Sequence, residues 1–129
     1  MTNKNQIIVV TDEVTRNISD GLKNCDIGVA HFFIQHTSAA LSINENYDPD
    51  VRKDMDMALD HLVPENLKWR HTDEGPDDSV SHTKASLIGS SISIPITKGK
   101  LNLGNWQGIY LTEFRHMPHT RRIVCTITP

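Results

Sequence analysis

The chain has 129 residues, the size of one ordinary domain, and 37% of them are hydrophobic, without a run near the roughly 20 apolar residues that span a bilayer. These features exclude a membrane protein and leave no room for separate cofactor and substrate domains. The formal charge of −3 argues against a protein that binds nucleic acid through a general positive field. Because only 5% of the residues are aromatic, the core is modest, and an oligomer interface could supply further buried surface.

The spacing of the cysteines and the character of the N-terminal residues indicate the cellular compartment of the protein. Cys25 and Cys125 lie far apart and form no CxxC motif, which argues against a disulfide framework or a cysteine-only zinc site. Residues 1–6 have no apolar segment of the secretory type. We therefore expect a cytoplasmic protein with reduced thiols.

The first third of the chain predicts a strand, a helix and a second strand. Residues 6–10 are rich in β-branched side chains and predict an opening strand. In residues 12–23, apolar side chains recur every four positions, which predicts an amphipathic helix. Residues 27–35 (IGVAHFFIQ) are almost continuously apolar and predict a strand buried on both faces. His31 lies within this strand, so we expect it in the core or at an interface.

The middle of the chain predicts a helix followed by a long loop. Asp48 can accept hydrogen bonds from free amide groups at a helix start, and Pro49 suits the first helical position. The helix predicted for residues 50–62 buries one apolar stripe. The stripe consists of Val51, Met55, Leu59 and Leu62. From residue 64 to residue 84 the apolar periodicity disappears, which predicts a long loop of the kind that often carries function.

The last third of the chain predicts strands. Residues 86–96 have strand character, and a turn at 97–100 leads into residues 101–103, which together predict a hairpin. Residues 105–114 and 122–128 predict two more strands.

About six strands and two helices, with neighbouring strands near the C-terminus, predict the α+β class. We expect a single domain, residues 1–129, in which a mainly antiparallel, two-layer sheet resembling a β-sandwich carries two helices. A doubly wound α/β fold is disfavoured because the sequence has no glycine-rich turn between a strand and a helix.

The first group of candidate functional residues follows the apolar strand 27–35. His36 could bind a metal or transfer protons, and Thr37 and Ser38 offer hydroxyl and amide groups to an anion. Asn44 and Glu45 follow a few residues later. A Ser/Thr-rich turn that satisfies its own backbone explains the same residues equally well.

The second group lies in the predicted loop. His71 and His82 flank Glu74, Asp77 and Asp78, and these are ligand types that zinc accepts. Lys84 follows His82. With His36 as a third imidazole, a three-histidine metal site with an open position becomes possible, and nearby carboxylates could orient the imidazoles or act as a general base. A solvated acidic loop would explain the carboxylates but not the flanking histidines.

The third group lies near the C-terminus. Trp106 and Gln107 stand between two glycines, a pattern typical of close backbone approach to another chain or a ligand. For Trp106, packing is a more ordinary role than recognition. Arg115, Arg121 and Arg122 could bind phosphate in a bidentate manner, or pair with the acidic middle of the chain.

Several long segments occur together and in order: HTSAALSINE, then HTDEGPDDSVSHTKASLIGSSISIPITKGKLNLGNWQGIYLTEFRH, then RRIV. Over nearly the whole chain, they resemble the YjbQ-like family, also labelled secondary thiamine-phosphate synthase. The resemblance implies a compact α+β sandwich that assembles as a homotrimer, with a metal-binding active site near the subunit boundaries.

The resemblance assigns roles residue by residue. It implies a divalent metal, with zinc expected, bound by His36, His71 and His82. It places Glu74, Asp77, Asp78 and Lys84 at the catalytic centre. The residues expected to bind substrate are Thr37, Ser38, Asn44, Glu45, Trp106, Gln107 and Arg115. The sequence departs from the family pattern at Asn105, at residues 79–81 and at residues 114–119, where many bacterial members have Thr, Met-Pro-Ala and an ending in DGPR.

The resemblance also implies a reaction. The expected activity joins a hydroxymethylpyrimidine diphosphate to a thiazole phosphate, so the partners would be phosphorylated small molecules and further copies of the chain, without nucleic acid or membrane. Such a reaction needs an anion clamp and a cation at the leaving pyrophosphate. Two alternatives stay open: a trimeric metal-containing binding protein for a small anionic metabolite, and a structural trimer closed by these histidines and acids.

Overall fold

A computed structural model describes residues 6–129 as seven strands and four helices. The strands are β1 (Gln6–Val9), β2 (Ile27–Ile34), β3 (Ala39–Glu45), β4 (Ser91–Thr97), β5 (Lys100–Leu101), β6 (Gln107–Glu113) and β7 (Ile123–Thr128). The helices are α1 (Thr11–Asn17), α2 (Ser19–Lys23), α3 (Pro49–Leu62) and α4 (Asp78–Ile88).

The strands form two antiparallel sheets. One sheet has the order β1-β6-β3 and the other has the order β5-β4-β2-β7. Apolar side chains from both sheets form one buried cluster, to which Phe32 and Ile94 contribute from one sheet and Ile109 and Leu111 from the other. Burial of this apolar surface is the main force that holds the sheets together. The α+β fold with packed antiparallel sheets, predicted from the sequence, is confirmed.

Helices α3 and α4 are attached to the three-stranded sheet through a second, smaller apolar cluster. Ala40 and Phe114 pack there with Leu59 and Met55 of α3 and with Ile88 of α4. The predicted start of α3 is correct in its detail, because the Asp48 side chain accepts a hydrogen bond of 2.9 Å from the Asp50 N–H.

The predicted loop at residues 64–84 is partly wrong, since its last seven residues belong to α4. The buried face of α4 includes Asp78, Ser81 and Lys84 besides Val80, so the helix has no apolar stripe for a periodicity argument to detect. The strand predicted from residue 86 consequently begins only at Ser91.

Two other elements differ from the prediction. Strand β3 was not expected, because its first three residues are two alanines and one leucine, all buried between the core and the helices. The helix predicted for residues 12–23 is divided into α1 and α2 at Ile18.

The outer face of the four-stranded sheet has no helix over it within the described residues. Strand β2 was expected to be buried on both faces, but its side chains alternate between buried and exposed positions. Val29, Phe33 and Val124 are each more than 40% exposed on this face. His31 lies there too, with its Nδ1 atom 2.9 Å from the Ser93 hydroxyl. None of the helices in residues 6–129 has the length and apolar character needed to cross a membrane.

Candidate functional site

Three side chains converge where the N-terminus of α4 meets the loop before it. The ligand atoms of His71, Asp78 and His82 all lie within 4.8 Å of one another. Asp78 is in the first turn of α4, and His82 is one turn further along the same face. His71 Nε2 is 2.7 Å from Asp78 Oδ2, and His82 Nε2 is 3.3 Å from Asp78 Oδ1.

The contacts of the Nδ1 atom of His82 determine which ring nitrogen carries the proton. Nδ1 lies 2.9 Å from the carbonyl oxygen of Thr37 and 3.2 Å from the hydroxyl of Ser38. A carbonyl oxygen only accepts, so Nδ1 carries the proton and donates it. The Nε2 lone pair of neutral His82 is then available beside Asp78. Ser81 supports this arrangement by donating a hydrogen bond of 3.0 Å to the Ser38 hydroxyl.

Arg115 holds the acidic end of the loop. Its guanidinium donates to Asp78 Oδ1 at 2.7 Å, to Asp77 Oδ2 at 3.2 Å and to the Glu74 carbonyl oxygen at 2.9 Å. Burial alone would raise the pKa of Asp77, but hydrogen bonds from the His116 N–H and from Arg115 outweigh it and hold the pKa below its ordinary value. The Asp77 carboxylate is therefore ionised at neutral pH, and the arginine sets the positions of both aspartates.

Gly75 makes the tight turn of this loop possible. Its φ of 116° is a conformation that residues with a Cβ rarely adopt, and a Cβ there would lie 3.1 Å from Asp77 Oδ1. The Gly75 N–H donates a 3.1 Å hydrogen bond to the Thr72 carbonyl oxygen. Gly75, followed by Pro76, thus fixes the backbone between His71 and Asp78.

A buried ion pair lies beneath the site. Glu113 is fully buried and binds Arg121 through both carboxylate oxygens, with Nε at 2.7 Å from Oε1. Arg121 also donates to the Ser38 carbonyl oxygen at 3.4 Å, and Glu113 accepts the Arg115 N–H at 3.1 Å. This ion pair therefore links the backbone at Ser38 to the backbone at Arg115, and both segments carry residues of the site.

A hollow of about 320 Å³ opens above these groups. Its lining combines the imidazole and aspartate cluster with cationic groups and hydroxyls. The lining residues include Thr37, Ser38, His71, Glu74, Asp78, His82, Arg115, His119 and Arg121. In chemical terms, the hollow offers nitrogen and oxygen ligands to a cation and arginine and hydroxyl donors to an anion.

His36 is not brought to ligand distance of this cluster. Its Nε2 accepts a 2.7 Å hydrogen bond from the Arg122 N–H. Burial lowers the pKa of His36, and the positive charge of Arg121 lowers it further, so the imidazole is neutral at pH 7. Where the sequence suggested His36 as the third ligand, the structure brings Asp78 to His71 and His82.

Lys84 does not line the hollow. It is buried at 1% exposure and its Nζ donates to the Asp60 carboxylate of α3. Lys84 is two positions after His82 on α4, which directs the two side chains to different faces of the helix. The structure thus places this predicted catalytic residue in the contact between the two helices.

The remaining predicted residues lie at the other end of the three-stranded sheet. Glu45 pairs with Gln107 in the ladder, whereas Ala39 at the site end pairs with Glu113. The Glu45 carboxylate accepts the N–H groups of Tyr47 and Asp48, the Asn44 side-chain oxygen accepts the Glu45 N–H, and the Gln107 side chain accepts the Gly104 N–H at 2.8 Å. Each of these side chains therefore stabilises a turn in its own part of the backbone.

Trp106 is 63% exposed at that same end and makes an edge contact with Tyr47, with ring centroids 5.7 Å apart. The structure therefore brings together His71, His82, Asp78, Asp77, Glu74, Thr37, Ser38 and Arg115. It does not bring Asn44, Glu45, Trp106 or Gln107 to them within one chain.

Sequence reasoning overlooked part of the site. The i, i+3, i+4 spacing of Asp78, Ser81 and His82 is a helical signal, and it could have placed the three on one helix face. Arg121 was noted as a possible phosphate ligand, but nothing in its spacing of eight positions from Glu113 indicated that the two residues pair. His119 lines the hollow without any signal in the sequence that points to it.

Comparison with known proteins identifies the family. A sequence model of the family described as "UPF0047 protein YjbQ-like" matches residues 1–129. The chain belongs to the UPF0047 (YjbQ-like) family. UPF0047 protein YjbQ of Escherichia coli O157:H7 is 44% identical over 119 residues, which cover 92% of this chain and 86% of that protein. UPF0047 protein YugU of Bacillus subtilis is 41% identical over 112 residues, covering 84% and 82% of the two chains.

Solved structures of UPF0047 relatives share the fold. A crystal structure of a YjbQ/UPF0047 protein from Clostridium acetobutylicum, called uncharacterized, superposes with a TM-score of 0.87 at 41% identity and covers 98% of this chain and 95% of that one. The conserved hypothetical protein TT1486 from Thermus thermophilus gives a TM-score of 0.79 at 29% identity, covering 95% and 90%. The names of these proteins state no activity.

Proposed function

We propose that this chain is a metal-dependent enzyme that acts on a small phosphorylated substrate, with zinc held by His71, Asp78 and His82. The observation that carries the proposal is the convergence of these three ligand atoms within 4.8 Å at the wall of a hollow. Catalytic zinc sites use three protein ligands of the His and carboxylate type and keep a fourth position open.

The contacts around the three side chains fit a zinc site. The Nδ1–H group of His82 donates to the Thr37 carbonyl oxygen, the arrangement by which zinc-binding imidazoles are usually oriented. Arg115 also holds Asp78, by a contact of 2.7 Å to its Oδ1 atom. When bound, zinc would supply positive charge that stabilises phosphate oxygens and a leaving anion.

The charge balance supports a phosphorylated substrate only when a metal is present. Arg115 and Arg121 face three buried carboxylates, those of Asp77, Asp78 and Glu113. With Glu74, which also lines the hollow, two positive and four negative charges leave two net negative charges, and a divalent cation would neutralise them. We therefore expect inorganic phosphate to bind the zinc-loaded protein and not the metal-free protein.

The specific reaction that we propose is the thiamine-phosphate synthase type. The thiazole nitrogen forms a bond to the methylene carbon of the pyrimidine diphosphate, the carbon–oxygen bond to the diphosphate breaks, and pyrophosphate leaves with the electron pair. Arg121 and His119 at the hollow would bind the leaving group, and Thr37 would donate a hydrogen bond to it. Glu74, an exposed carboxylate at the rim, is available to contact the cationic thiazolium ring that forms.

We also propose that the chain assembles as a homotrimer through the outer face of the four-stranded sheet. Val29, Phe33 and Val124 expose an apolar surface there, which favours a protein partner. Phe33→Asp should yield monomers in light scattering. Leu87→Asp, at an apolar position of α4 that is 63% exposed, is the matched control and should leave the mass of the assembly unchanged.

The proposed metal site is tested by zinc content per chain, measured by elemental analysis, together with the oligomeric mass. Wild type should hold about one zinc per chain, and folded His71→Ala and His82→Ala should hold none. His61→Ala changes an exposed histidine of α3 outside the hollow and should keep the zinc. Equal zinc content in all four proteins would contradict the proposal.

A second candidate function is a metal-containing binding protein for a small anionic metabolite. It is favoured by one observation: Asp77 and Asp78 are both held by Arg115, which limits their use as general bases. For an enzyme, Asp77→Asn should lower the rate more than the affinity for substrate. For a binding protein, affinity and any residual activity should fall together. A purely structural trimer would instead dissociate or melt when zinc is removed by a chelator.

A further inference from the structure

A second hollow adjoins the candidate site, and the two have a common wall. The second hollow has a volume of about 490 Å³, and His82 and Thr37 line both. It lies between the C-terminal half of α4 and the chain segments at the start of β3 and β4. A ligand held at His82 in the first hollow can therefore extend directly into the second.

The two hollows differ in their chemistry. The first has two arginines and two carboxylates in its lining, whereas no arginine, lysine or carboxylate lines the second. The second instead has the methyl groups of Ala39 and Ala85 and the hydroxyls of Ser86 and Ser90. Both serines are exposed, so their hydroxyls are accessible to a ligand. These groups suit an uncharged ligand that carries hydrogen-bonding atoms.

His36 is a further lining residue of this second hollow, and it carries one N–H donor. Because its Nε2 accepts the Arg122 N–H, the proton of the neutral imidazole is on Nδ1. His36 lines the second hollow and not the first. The residue that the sequence singled out as a metal ligand is thus placed to contact the organic part of a ligand.

We propose that the second hollow binds the uncharged organic part of the phosphorylated substrate while the first hollow binds its phosphate. This inference rests on the proposed function, because it assumes that an anion occupies the first hollow. The ligand class is a phosphate ester of a small, neutral, hydrogen-bonding body, such as a hydroxylated chain or a heterocycle. A volume near 490 Å³ lies in the range of ordinary small-molecule sites and accommodates a body of that size.

The test compares ligands that share a phosphate group and differ in the organic part attached to it. Zinc-loaded wild type is titrated calorimetrically with inorganic phosphate, ribose 5-phosphate and cytidine 5′-phosphate. Two or three hydrogen bonds should make at least one of the two esters bind about tenfold more tightly than phosphate. Ser86→Trp, which fills the second hollow, should cancel this gain and change the affinity for inorganic phosphate by less than about twofold.

Leu87→Trp is the matched control. Leu87 is the next residue on α4, is 63% exposed and lines neither hollow. In this variant, the ester should still bind about tenfold more tightly than inorganic phosphate. If both esters bind wild type no better than phosphate, or if the gain survives in Ser86→Trp, the second hollow is not a subsite although the anion site stands. If phosphate itself does not bind the zinc-loaded protein, the proposed function fails and this inference fails with it.

A measurement with a smaller substitution guards against misfolding of the tryptophan variant. Ser86→Cys is nearly isosteric, and alkylation of its thiol by iodoacetamide can be followed by peptide mass. The ester that binds more tightly should slow this alkylation, whereas phosphate should not. Leu87→Cys should react at one rate in all conditions, and equal rates at residue 86 with and without ester would overturn the inference.

Discussion

Both ends of the three-stranded sheet carry residues from the family motifs, but the side chains at the two ends make different kinds of contact. At one end, side chains of α4, of the loop before it and of the segments that precede β3 and follow β6 surround a hollow, and His71, Asp78 and His82 direct ligand atoms toward one another. At the other end, Glu45 and Gln107 direct their oxygens to backbone N–H groups of their own turns. The ends are separated by the seven residues of β3, about 20 Å.

The comparison teaches that a motif alone does not distinguish a ligand-binding side chain from one that stabilises a turn. Glu45 and Asp78 are both carboxylates in long matching segments. Asp78 is held by an arginine and two imidazoles, whereas Glu45 accepts amide hydrogens. The partners decide the role, and only the folded chain shows the partners.

The largest expected effect comes from the ion pair beneath the site. Glu113→Gln leaves Arg121 buried with a neutral partner, so the free energy of unfolding should fall by about 3–5 kcal/mol in urea titrations at pH 7. Glu45→Gln at the opposite end keeps an oxygen that can accept amide hydrogens, and it should cost less than about 1 kcal/mol. Similar losses in both variants would remove the distinction between the two ends.

The next effect depends on pH. The folded-state pKa of Asp77 is below its ordinary value of 3.8, so the ionised carboxylate stabilises the fold above pH 3.8 and this stabilisation disappears as pH falls through the lower folded-state pKa. Asp77→Asn should lower the free energy of unfolding at pH 6 by about 1.5–3 kcal/mol. The difference from wild type should shrink as the pH falls below about 4.

Asp73→Asn is the control for this pH series. Asp73 is exposed in the same loop, so its replacement should leave the unfolding free energy nearly unchanged across the range. A loss in Asp77→Asn that is constant from pH 6 to pH 3 would show that packing, and not the ionised carboxylate, is responsible.

The smallest effect is expected at the far end of the sheet. Trp106→Ala removes an exposed edge contact with Tyr47 and should lower stability by about 0.5–1.5 kcal/mol. Zinc affinity, measured by competition with a chromophoric chelator, should stay within about twofold of wild type because no zinc ligand is near. A tenfold loss of zinc affinity would show that Trp106 contributes to the proposed metal site, and it would contradict the distinction between the two ends of the sheet.

The sequence predicted the sheets better than the helices. Strands β2 and β7 were found because their side chains are apolar or alternate, and α3 was found from Asp48, Pro49 and an apolar stripe. Helix α4 was missed because Asp78, Ser81 and Lys84 occupy its buried face. Those polar side chains are buried at the candidate site and in the contact with α3, so the feature that hid the helix is also the one that positions the candidate site.

The candidate site was predicted in its residue types and not in its geometry. His71 and His82 were expected as ligands, and they do meet. His36 was grouped with them, but the N–H of Arg122, 86 positions away, holds its Nε2. Lys84 was expected at the catalytic centre, and Asp60 of α3 pairs with it instead. Both outcomes depend on contacts between distant segments, which spacing along the chain does not specify.

The most direct measurement of the central claim is anomalous diffraction at the zinc edge from crystals of the zinc-loaded protein. We predict one strong peak per chain, about 2.0–2.2 Å from His71 Nε2, His82 Nε2 and an Asp78 carboxylate oxygen. A peak at another histidine, or no peak between these three side chains at full zinc loading, would contradict the account.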